Sequence, residues 1–573
     1  MPGTITLGDF PNEPIFVQLL RVSREVSHVI VQDPQTDVEA DYGQFLADLL
    51  QTRQGLQESV PGSLLDGKRL LREDNPYVFL LTDGNYNFIV GAFSILSVGG
   101  AFVPLSTQVL PEEALHFSRR CKSAVIVTSR EYLPLAREIQ QYAASQGVEW
   151  TVVEICIKSS PSRDASASSL RIDENATIPP RRPGMVLFTS GTSGPPKGVV
   201  HSRSVFYEIH TTSSPSEVCL SHRHHLWIGG AMPLIRHPLA GGRLEIIKPD
   251  AEILWKRLHK GGVTILAGTP RLWSQMMEYF QSHIQGLPAA ELEIYVSAAR
   301  NLRVAHVGGG MPHRSLLRFW REDLRRPLTV SYGATELGGR GLKCTLDTPV
   351  DIERCIGRAH PKITVRLSDG DHGEIQIKSA NLFSHYLGDE AATRAVFTED
   401  GFYKTGDVAH VVGKDYVFDG RLSAEFTKFR GWQISILEVE LRLLELPFIR
   451  EGCILGAPEP DNGTRLAALV RFKSSKASSA CATGANGSQP LLQLLRESLA
   501  AELPVYMLPT ALRVLGEDEE IPRTASHKVI RSKAIEQYFP LTESGAIAEP
   551  VELLDLGKSE PSGPRKIWEW GGL

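Results

Sequence analysis

The chain has 573 residues, too many for a single hydrophobic core, so two or more domains are expected. Its composition, 42% apolar and 22% charged with a net charge of −5, is that of a globular protein and excludes an electrostatic case for nucleic acid or an anionic membrane as partner. The seven cysteines (Cys121, Cys156, Cys219, Cys344, Cys355, Cys453 and Cys481) are odd in number and form no CxxC pair, which argues against a zinc module and for reduced thiols inside the cell. In chain order, the amino terminus MPGTITLGDFPNEPIF has no charged-then-apolar leader, and at the other end WGGL is not a peroxisomal address, so a cytoplasmic location is expected. YNFIVGAFSILSVGGAFVPL (86–105) is uncharged and long enough to span a bilayer, but Asp83 or Asn85 can cap a helix start, Gly99-Gly100 breaks it, and AFVPL reads as a buried strand.

Short β-rich runs follow one another: YVFLL, AFVPL, SAVIVTS, WTVVEIC, GMVLFTS, RLEII, VTILAG and LRVAHVGG. Helical patterns such as PEEALHFSRRC and LPLAREIQQYAAS lie between several of them, and this alternation predicts α/β layers with largely parallel sheets. KSSPSRDASASSL (158–170) reads as a surface loop. The basic groups RRP (181–183) and REDLRR (321–326) read as solvated surface. After about residue 405 the pattern changes. VAHVVGKDYVFDG predicts two strands around a tight turn, ISILEVELRLLEL an amphipathic helix, GCILGAPE and RLAALVRF strands, and LLQLLRESLAAEL another helix, with a low-complexity insert at 474–489. The whole reads as a multidomain α/β protein: a large N-terminal domain of packed sheets and helices (1–420), a small α+β C-terminal domain (421–540) and an irregular tail (541–573).

The stretch LFTSGTSGPPKGVVHS (187–202) carries glycines, hydroxyls and one lysine, but it is not a Walker loop, because Pro196 precedes Lys197 and Gly198 follows it. Val199-Val200 are β-branched, so the exit prefers a strand and the loop should turn back as a hairpin rather than open a helix. Thr189, Ser190, Thr192 and Ser193 offer hydroxyls, Gly191, Gly194 and Gly198 let backbone amides converge, and Lys197 can reach a phosphate. VSYGATELGG (330–339) places Tyr332, Gly333, Thr335 and Glu336 in one turn after a strand, where a carboxylate beside a hydroxyl suits Mg²⁺ and phosphate oxygens. FYKTGDVAHVVGKDYVFDGR (402–421) presents Asp407 and Arg421, and IPRTASHKVIRSKA (521–534) presents Lys528 in a loop before a helix.

Taken together these segments resemble the adenylate-forming superfamily of acyl-CoA synthetases, peptide-synthetase adenylation domains and beetle luciferase. The family's [YF]TSGTTGxPKGV, YGxTE, TGD with a following Gly-Arg, and PRTxxGK are similar to FTSGTSGPPKGV, YGATE, TGD (405–407) with GR (420–421), and PRTASHK here; SVGGAFVPLS (97–106) is similar to the family's GGxxVPL. The resemblance implies ATP, Mg²⁺ and coenzyme A, a small carboxylic acid as substrate, and a mobile C-terminal lid. It implies that residues 189–197 hold phosphates, that Gly308, Gly309 and Gly310 let the adenylate lie against backbone, and that Ser331, Tyr332 and Gly333 line the nucleotide, with Tyr332 against the adenine. Asp407 and Arg421 would hold the ribose, Thr335 and Glu336 would serve phosphate and Mg²⁺, and Lys528 would bridge the attacking carboxylate. Lys428, Gly431 and Trp432 would serve the thiolation step, with a hinge at 422–425. Gly431 suits close passage of the pantetheine arm.

Residues 420–440 most resemble malonyl-CoA synthetases, which carry arginine just before the YGxTE tyrosine; here that position is Ser331, with Arg236 or Arg271 as alternatives for a second carboxylate. His527 replaces the glycine usual before the catalytic lysine. The acyl pocket would be lined near Trp227, Gly230 and Gly308, and an inward Trp227 would shorten it; ordinary core is the competing reading of that tryptophan. The run HRHH (222–225) lacks the spacing of a metal shell, and His201 reads as a strand-end residue. Loading of the adenylate onto a carrier protein in trans is the alternative to coenzyme A, and a non-catalytic scaffold of the same fold is the alternative of another class.

Overall fold

The computed structural model describes residues 9–157, 170–189, 197–208, 217–339, 341–345, 348, 352–421, 426–429, 432–459, 463–473, 490–524, 528–542, 547–548 and 550–554. Two compact units emerge, Met1–Phe418 and Asp419–Leu573.

In the first unit, strand Tyr77–Leu81, helix Tyr86–Ser97 and strand Ala101–Leu105 make one parallel crossover. Every residue of the AFVPL strand is buried, as expected for a parallel strand covered on both faces. The helix starts where the Asn85 side chain accepts the Asn87 N–H, and it buries every residue except Asn87. Gly99 ends it with φ 75°, and a side chain on Gly100 would come within 2.9 Å of the Ile95 carbonyl. The uncharged 86–105 run is therefore a core helix of 12 residues, about 18 Å long, followed by a strand. Among the described residues no helix is long and apolar enough to cross a membrane.

Around this crossover lies a seven-stranded sheet, in spatial order His385–Tyr386, Lys197–Ser202, Pro183–Thr189, Ala101–Leu105, Tyr77–Leu81, Val125–Thr128 and Thr151–Glu154. A second, thirteen-stranded sheet has a parallel section of Arg243–Ile246, Val218–Ser221, Ile265–Gly268, Val304–Gly308 and Thr329–Tyr332. It then turns antiparallel through Leu342–Lys343, Cys355–Ala359, Asp415–Arg421, Tyr403–Val412, His372–Ser379 and Ile363–Asp369. Helices over the parallel section are pinned by three buried indoles: Trp255 stacks on Trp320 at 5.8 Å and Trp273 meets Trp320 edge-on at 4.5 Å.

One arginine of the RRP group departs from its reading as solvated surface. Arg182 is buried and donates to the Leu71 carbonyl, because the chain turns inward there before entering the Pro183–Thr189 strand. Nearby Arg203, wholly buried, donates to both Glu13 oxygens at 2.7 and 2.5 Å and so fastens the start of helix Pro14–Glu25.

The second unit is α+β. Strands Ile449–Glu459, Gly463–Phe472, Ala511–Val514 and Glu552–Leu553 form one sheet, accompanied by helices Ile436–Glu445, Leu491–Leu499 and Arg531–Tyr538. Ser435 caps the first helix by accepting the Glu438 N–H at 3.3 Å. The tail is not wholly irregular: Glu552–Leu553 pairs antiparallel with Ala511–Val514, and Leu554 N–H donates to the Thr510 carbonyl. Its sequence offers only one short apolar run, too little to announce an edge strand. The readings of 158–169, 474–489 and 555–573 lie outside the described residues.

Candidate active site

The glycine-rich segment is carried by an antiparallel pair, Pro183–Thr189 against Lys197–Ser202, with Thr189 opposite Lys197 and Phe188 opposite Gly198. It joins two strands and opens no helix, as the β-branched exit predicts. Thr189 Oγ1 donates to the Lys197 carbonyl at 3.3 Å, closing the mouth of the loop. Ser190, Gly191, Thr192, Ser193 and Gly194 lie outside the described residues. Lys197 is exposed, and its ammonium stands 4.9 Å from the centre of the Tyr386 ring. His201, on the same strand, is wholly buried, and burial pushes its pKa down to about 4, so it is neutral.

Tyr386 belongs to the short strand that pairs with the hairpin, Val199 opposite Tyr386. Its hydroxyl donates to Glu336 Oε1 at 2.9 Å, and Phe383 N–H donates to the Glu336 carbonyl at 2.8 Å. Lys197 and the Glu336 carboxylate thus meet the same tyrosine, one over its ring and the other at its hydroxyl. No motif in FSHYLGDE marks Tyr386; its role becomes visible only when that strand is seen to pair with Lys197–Ser202.

Thr335 and Glu336 sit in the short turn Thr335–Leu337, directly after strand Thr329–Tyr332. Tyr332 donates its hydroxyl to Asp407 Oδ2 at 2.6 Å, bringing together two residues that stand 75 apart in sequence. Asp407 is buried within strand Tyr403–Val412, where the pairing with His372–Ser379 shifts register and the Asp407 N–H donates to Thr405 Oγ1 at 3.1 Å. Gly406 adopts φ 73° and gives its N–H to Glu374 Oε1 at 2.8 Å. Glu374, like Tyr386, is a supporting residue that no motif points to.

Gly308 ends a parallel strand opposite Ser331. A Cβ there would lie 2.9 Å from the Ser331 carbonyl, so the two strand ends can approach only because position 308 is glycine. Gly309 follows with φ 81°, and Gly310 lies against Pro270. Ser331 Oγ is buried and has no hydrogen-bond partner among the described residues. These groups all stand at the carboxyl ends of parallel strands, where open α/β sheets place their ligands.

Beside them the chain leaves strand Val218–Ser221 and enters helix Ile228–Ala240. His222 bonds to the Ala267 carbonyl at 2.8 Å, and buried His225 packs 5.3 Å from Phe88 with His224 stacked on it at 4.7 Å. Burial pushes His222 to about 4 and His225 to about 3. Trp227 is half-buried at the helix start, its indole N–H without a partner among the described residues. Gly230 is obligatory, since a Cβ would fall 2.1 Å from the His224 carbonyl.

In the second unit Lys528 is exposed on a reversal in which Arg523 bridges Val529. Lys528 N–H donates to Thr524 Oγ1 at 3.2 Å and Thr524 N–H to the Lys528 carbonyl at 2.8 Å. Lys428 lies on strand Phe426–Phe429 opposite Gln433, and Trp432 begins the returning strand opposite Phe429. Arg421 closes strand Asp415–Arg421. Gly431, His527 and the 422–425 hinge lie outside the described residues.

The family model described as "AMP-binding enzyme" matches residues 63–387. An acyl-CoA ligase, oryP, of Aspergillus oryzae is 33% identical over 542 residues, covering 92% of this chain and 93% of that protein. A malonate–CoA ligase of Arabidopsis thaliana is 27% identical, covering 77% of this chain and 74% of its own. The ATP-bound crystal structure of MatB from Rhodopseudomonas palustris superposes with a TM-score of 0.70 at 18% identity, over 91% of this chain and 99% of that one, which speaks for the fold. With the family model spanning more than half of its residues, the chain belongs to the AMP-binding enzymes, the adenylate-forming family.

Proposed function

We propose that the protein is an AMP-forming acid–thiol ligase that joins a small carboxylic acid to coenzyme A at the expense of ATP. In the first step a carboxylate oxygen attacks the α-phosphorus and pyrophosphate leaves. In the second, the thiol sulfur attacks the carbonyl of the acyl-adenylate, the thiol proton is released and AMP departs. Both steps depend on positioning and on stabilising developing charge, which is what this site's residues provide.

The observation that carries the reading is that Tyr386, on the strand paired with the glycine-rich hairpin of the seven-stranded sheet, bonds to Glu336, which directly follows the thirteen-stranded sheet's strand bearing Tyr332, the partner of Asp407. Lys197 with Thr189, Ser190, Gly191, Thr192, Ser193 and Gly194 would grip the pyrophosphate being released. Tyr332 and Gly333 would face the adenine, Asp407 and Arg421 the ribose, and Gly308, Gly309 and Gly310 would leave room for the adenylate. Lys528 would neutralise charge between the incoming carboxylate and the α-phosphate, and Lys428, Gly431 and Trp432 would accompany the thiol. Mg²⁺ fits the donor set: one carboxylate, Glu336, with a hydroxyl neighbour in Thr335, is the sparse protein contribution that Mg²⁺ takes alongside nucleotide phosphates. When bound it would neutralise phosphate charge. A short acid is favoured by the half-buried Trp227 at the head of helix Ile228–Ala240, should its indole enter the acyl site. Scattered free thiols suit a cytoplasmic enzyme.

The test is thioester formation from acid, Mg·ATP and coenzyme A as the only thiol. AMP and acyl-CoA released in equal amounts are expected. Pyrophosphate release with no thioester would move the acceptor to a carrier protein.

A further inference from the structure

Glu336 is fixed twice by one short segment. Phe383 N–H donates to its backbone carbonyl at 2.8 Å, and the Tyr386 hydroxyl donates to its Oε1 at 2.9 Å. The same segment is fastened to the glycine-rich hairpin. Ser384 N–H donates to the Val200 carbonyl and Leu387 N–H to the Gly198 carbonyl, each at 2.7 Å. Residues 383–387 therefore tie the carboxylate that follows a strand of the thirteen-stranded sheet to the strand that carries Lys197 in the seven-stranded one.

Tyr386 itself is held at backbone, ring and hydroxyl. It is buried, and its N–H donates to Thr393 Oγ1 at 2.9 Å, while Thr393 donates its own hydroxyl to the Asp389 carbonyl at 2.7 Å. The ring packs 4.7 Å from that of Phe383. Tyr403, on the strand that carries Asp407, hydrogen-bonds the Tyr386 side chain; burial and the Glu336 charge hold the Tyr403 phenol well above its ordinary value, so it stays protonated.

The two ends of the Tyr386 side chain meet opposite charges. A carboxylate has about four acceptor positions, so one phenol restricts its rotation and leaves it able to bind a cation. The ring face attracts the Lys197 ammonium, 4.9 Å from its centre. Lys197 and Glu336 make no ion pair with each other among the described residues, although each contacts the same tyrosine.

We propose that Tyr386 is a positioning residue for the polyphosphate of ATP. Its hydroxyl fixes Glu336 for the divalent cation that accompanies the phosphates, and its ring holds Lys197 nearby, so that the two charges serve the ligand instead of neutralising each other. This rests on the ligase reading above and deepens it. Tyr332 and Asp407, which would take up the nucleoside, are held by their own bond at 2.6 Å. Tyr386 accordingly governs affinity for Mg·ATP and not for AMP.

The experiment titrates the full-length protein calorimetrically with AMP, and with ATP over a series of Mg²⁺ concentrations, without acid or thiol so that no turnover intervenes. Tyr386→Phe keeps the ring and removes the hydroxyl. It should weaken Mg·ATP binding about tenfold, as expected for a residue that orients a metal-binding carboxylate, and leave AMP binding within about twofold. Tyr386→Leu loses the ring as well and should weaken Mg·ATP binding further. In a Glu336→Gln background, Tyr386→Phe should have little additional effect, because the hydroxyl acts through the carboxylate. Equal losses for AMP and Mg·ATP, a Tyr386→Phe protein that binds Mg·ATP as the wild type does, or an effect fully additive with Glu336→Gln overturns the proposal and leaves the ligase reading standing. A wild type that binds neither nucleotide overturns both.

Discussion

Lys528 and Glu336 have opposite structural settings, and the difference bears on how each is to be tested. Glu336 is held by the Tyr386 hydroxyl at 2.9 Å, so replacing it disturbs a neighbour as well as a charge. Lys528 is exposed on a backbone reversal closed by Thr524, so its side chain can be shortened without opening a core. Lys528→Ala should therefore fold normally, lose adenylate formation by about a hundredfold or more, and still make thioester from supplied acyl-adenylate. Single-turnover assays of the two half-reactions decide this; an equal fall in both would remove Lys528 from the first step. The candidate residues were legible as candidates because hydroxyl, glycine, carboxylate and lysine sit within short segments of fixed order. Tyr386 and Glu374 were not. Each meets a partner far away in sequence, Tyr386 on Glu336 fifty residues earlier and Glu374 on Gly406 thirty-two residues later, and no local pattern encodes such a pairing.

At the scale of elements, the hairpin and the helix of the 86–105 run show when a pattern decides. Val199-Val200 after the loop prefer a strand, and a strand forms, pairing with Pro183–Thr189 on one side and His385–Tyr386 on the other. Uniform hydrophobicity in 86–105 was ambiguous between a membrane span and a core helix; the cap and the glycine pair settled it, since only a bounded element needs them. Asn85 supplies that cap at 3.0 Å from the Asn87 N–H, in a helix that is otherwise almost wholly buried. Asn85→Ala should cost about 1 kcal/mol in urea unfolding of the first unit, whereas Asn85→Asp should cost much less. Equal losses would mean that the side chain's contribution is packing. The strand Glu552–Leu553 was missed because an edge strand of two residues carries too few side chains to set a period.

For the molecule as a whole, the α/β alternation foretold the sheet type but not the thirteen-strand continuity, in which parallel strands pass through Leu342–Lys343 into an antiparallel section. That join depends on Gly341, where a Cβ would fall 2.2 Å from the Tyr332 carbonyl, a contact no periodicity reveals. Two of the cysteines read as scattered also come together there: Cys344, just after strand Leu342–Lys343, and Cys355, at the start of Cys355–Ala359, have sulfurs 3.9 Å apart. The buried histidines set an acid limit for the first unit. His201 and His225 have folded-state pKa values near 4 and 3, below the unfolded value of about 6.5. As pH falls through about 6.5 the unfolded chain takes up protons that the folded chain refuses, so stability is lost in the window from about 6.5 down to 4. For His201 alone the loss between pH 7 and 5 is on the order of 1–2 kcal/mol. Thermal unfolding should hold its midpoint between pH 8 and 7 and decline below 6.5. A midpoint indifferent to pH down to 4.5 would contradict the neutral, buried state of these rings.

The central claim is that this chain couples an acid to the α-phosphate of ATP and expels pyrophosphate. Acid-dependent exchange of labelled pyrophosphate into ATP, run without any thiol, measures that step by itself. The account predicts exchange that requires an acid and Mg²⁺ and that disappears in Lys528→Ala. A well-folded protein that shows no exchange with any acid of the mono- and dicarboxylate panel would contradict it.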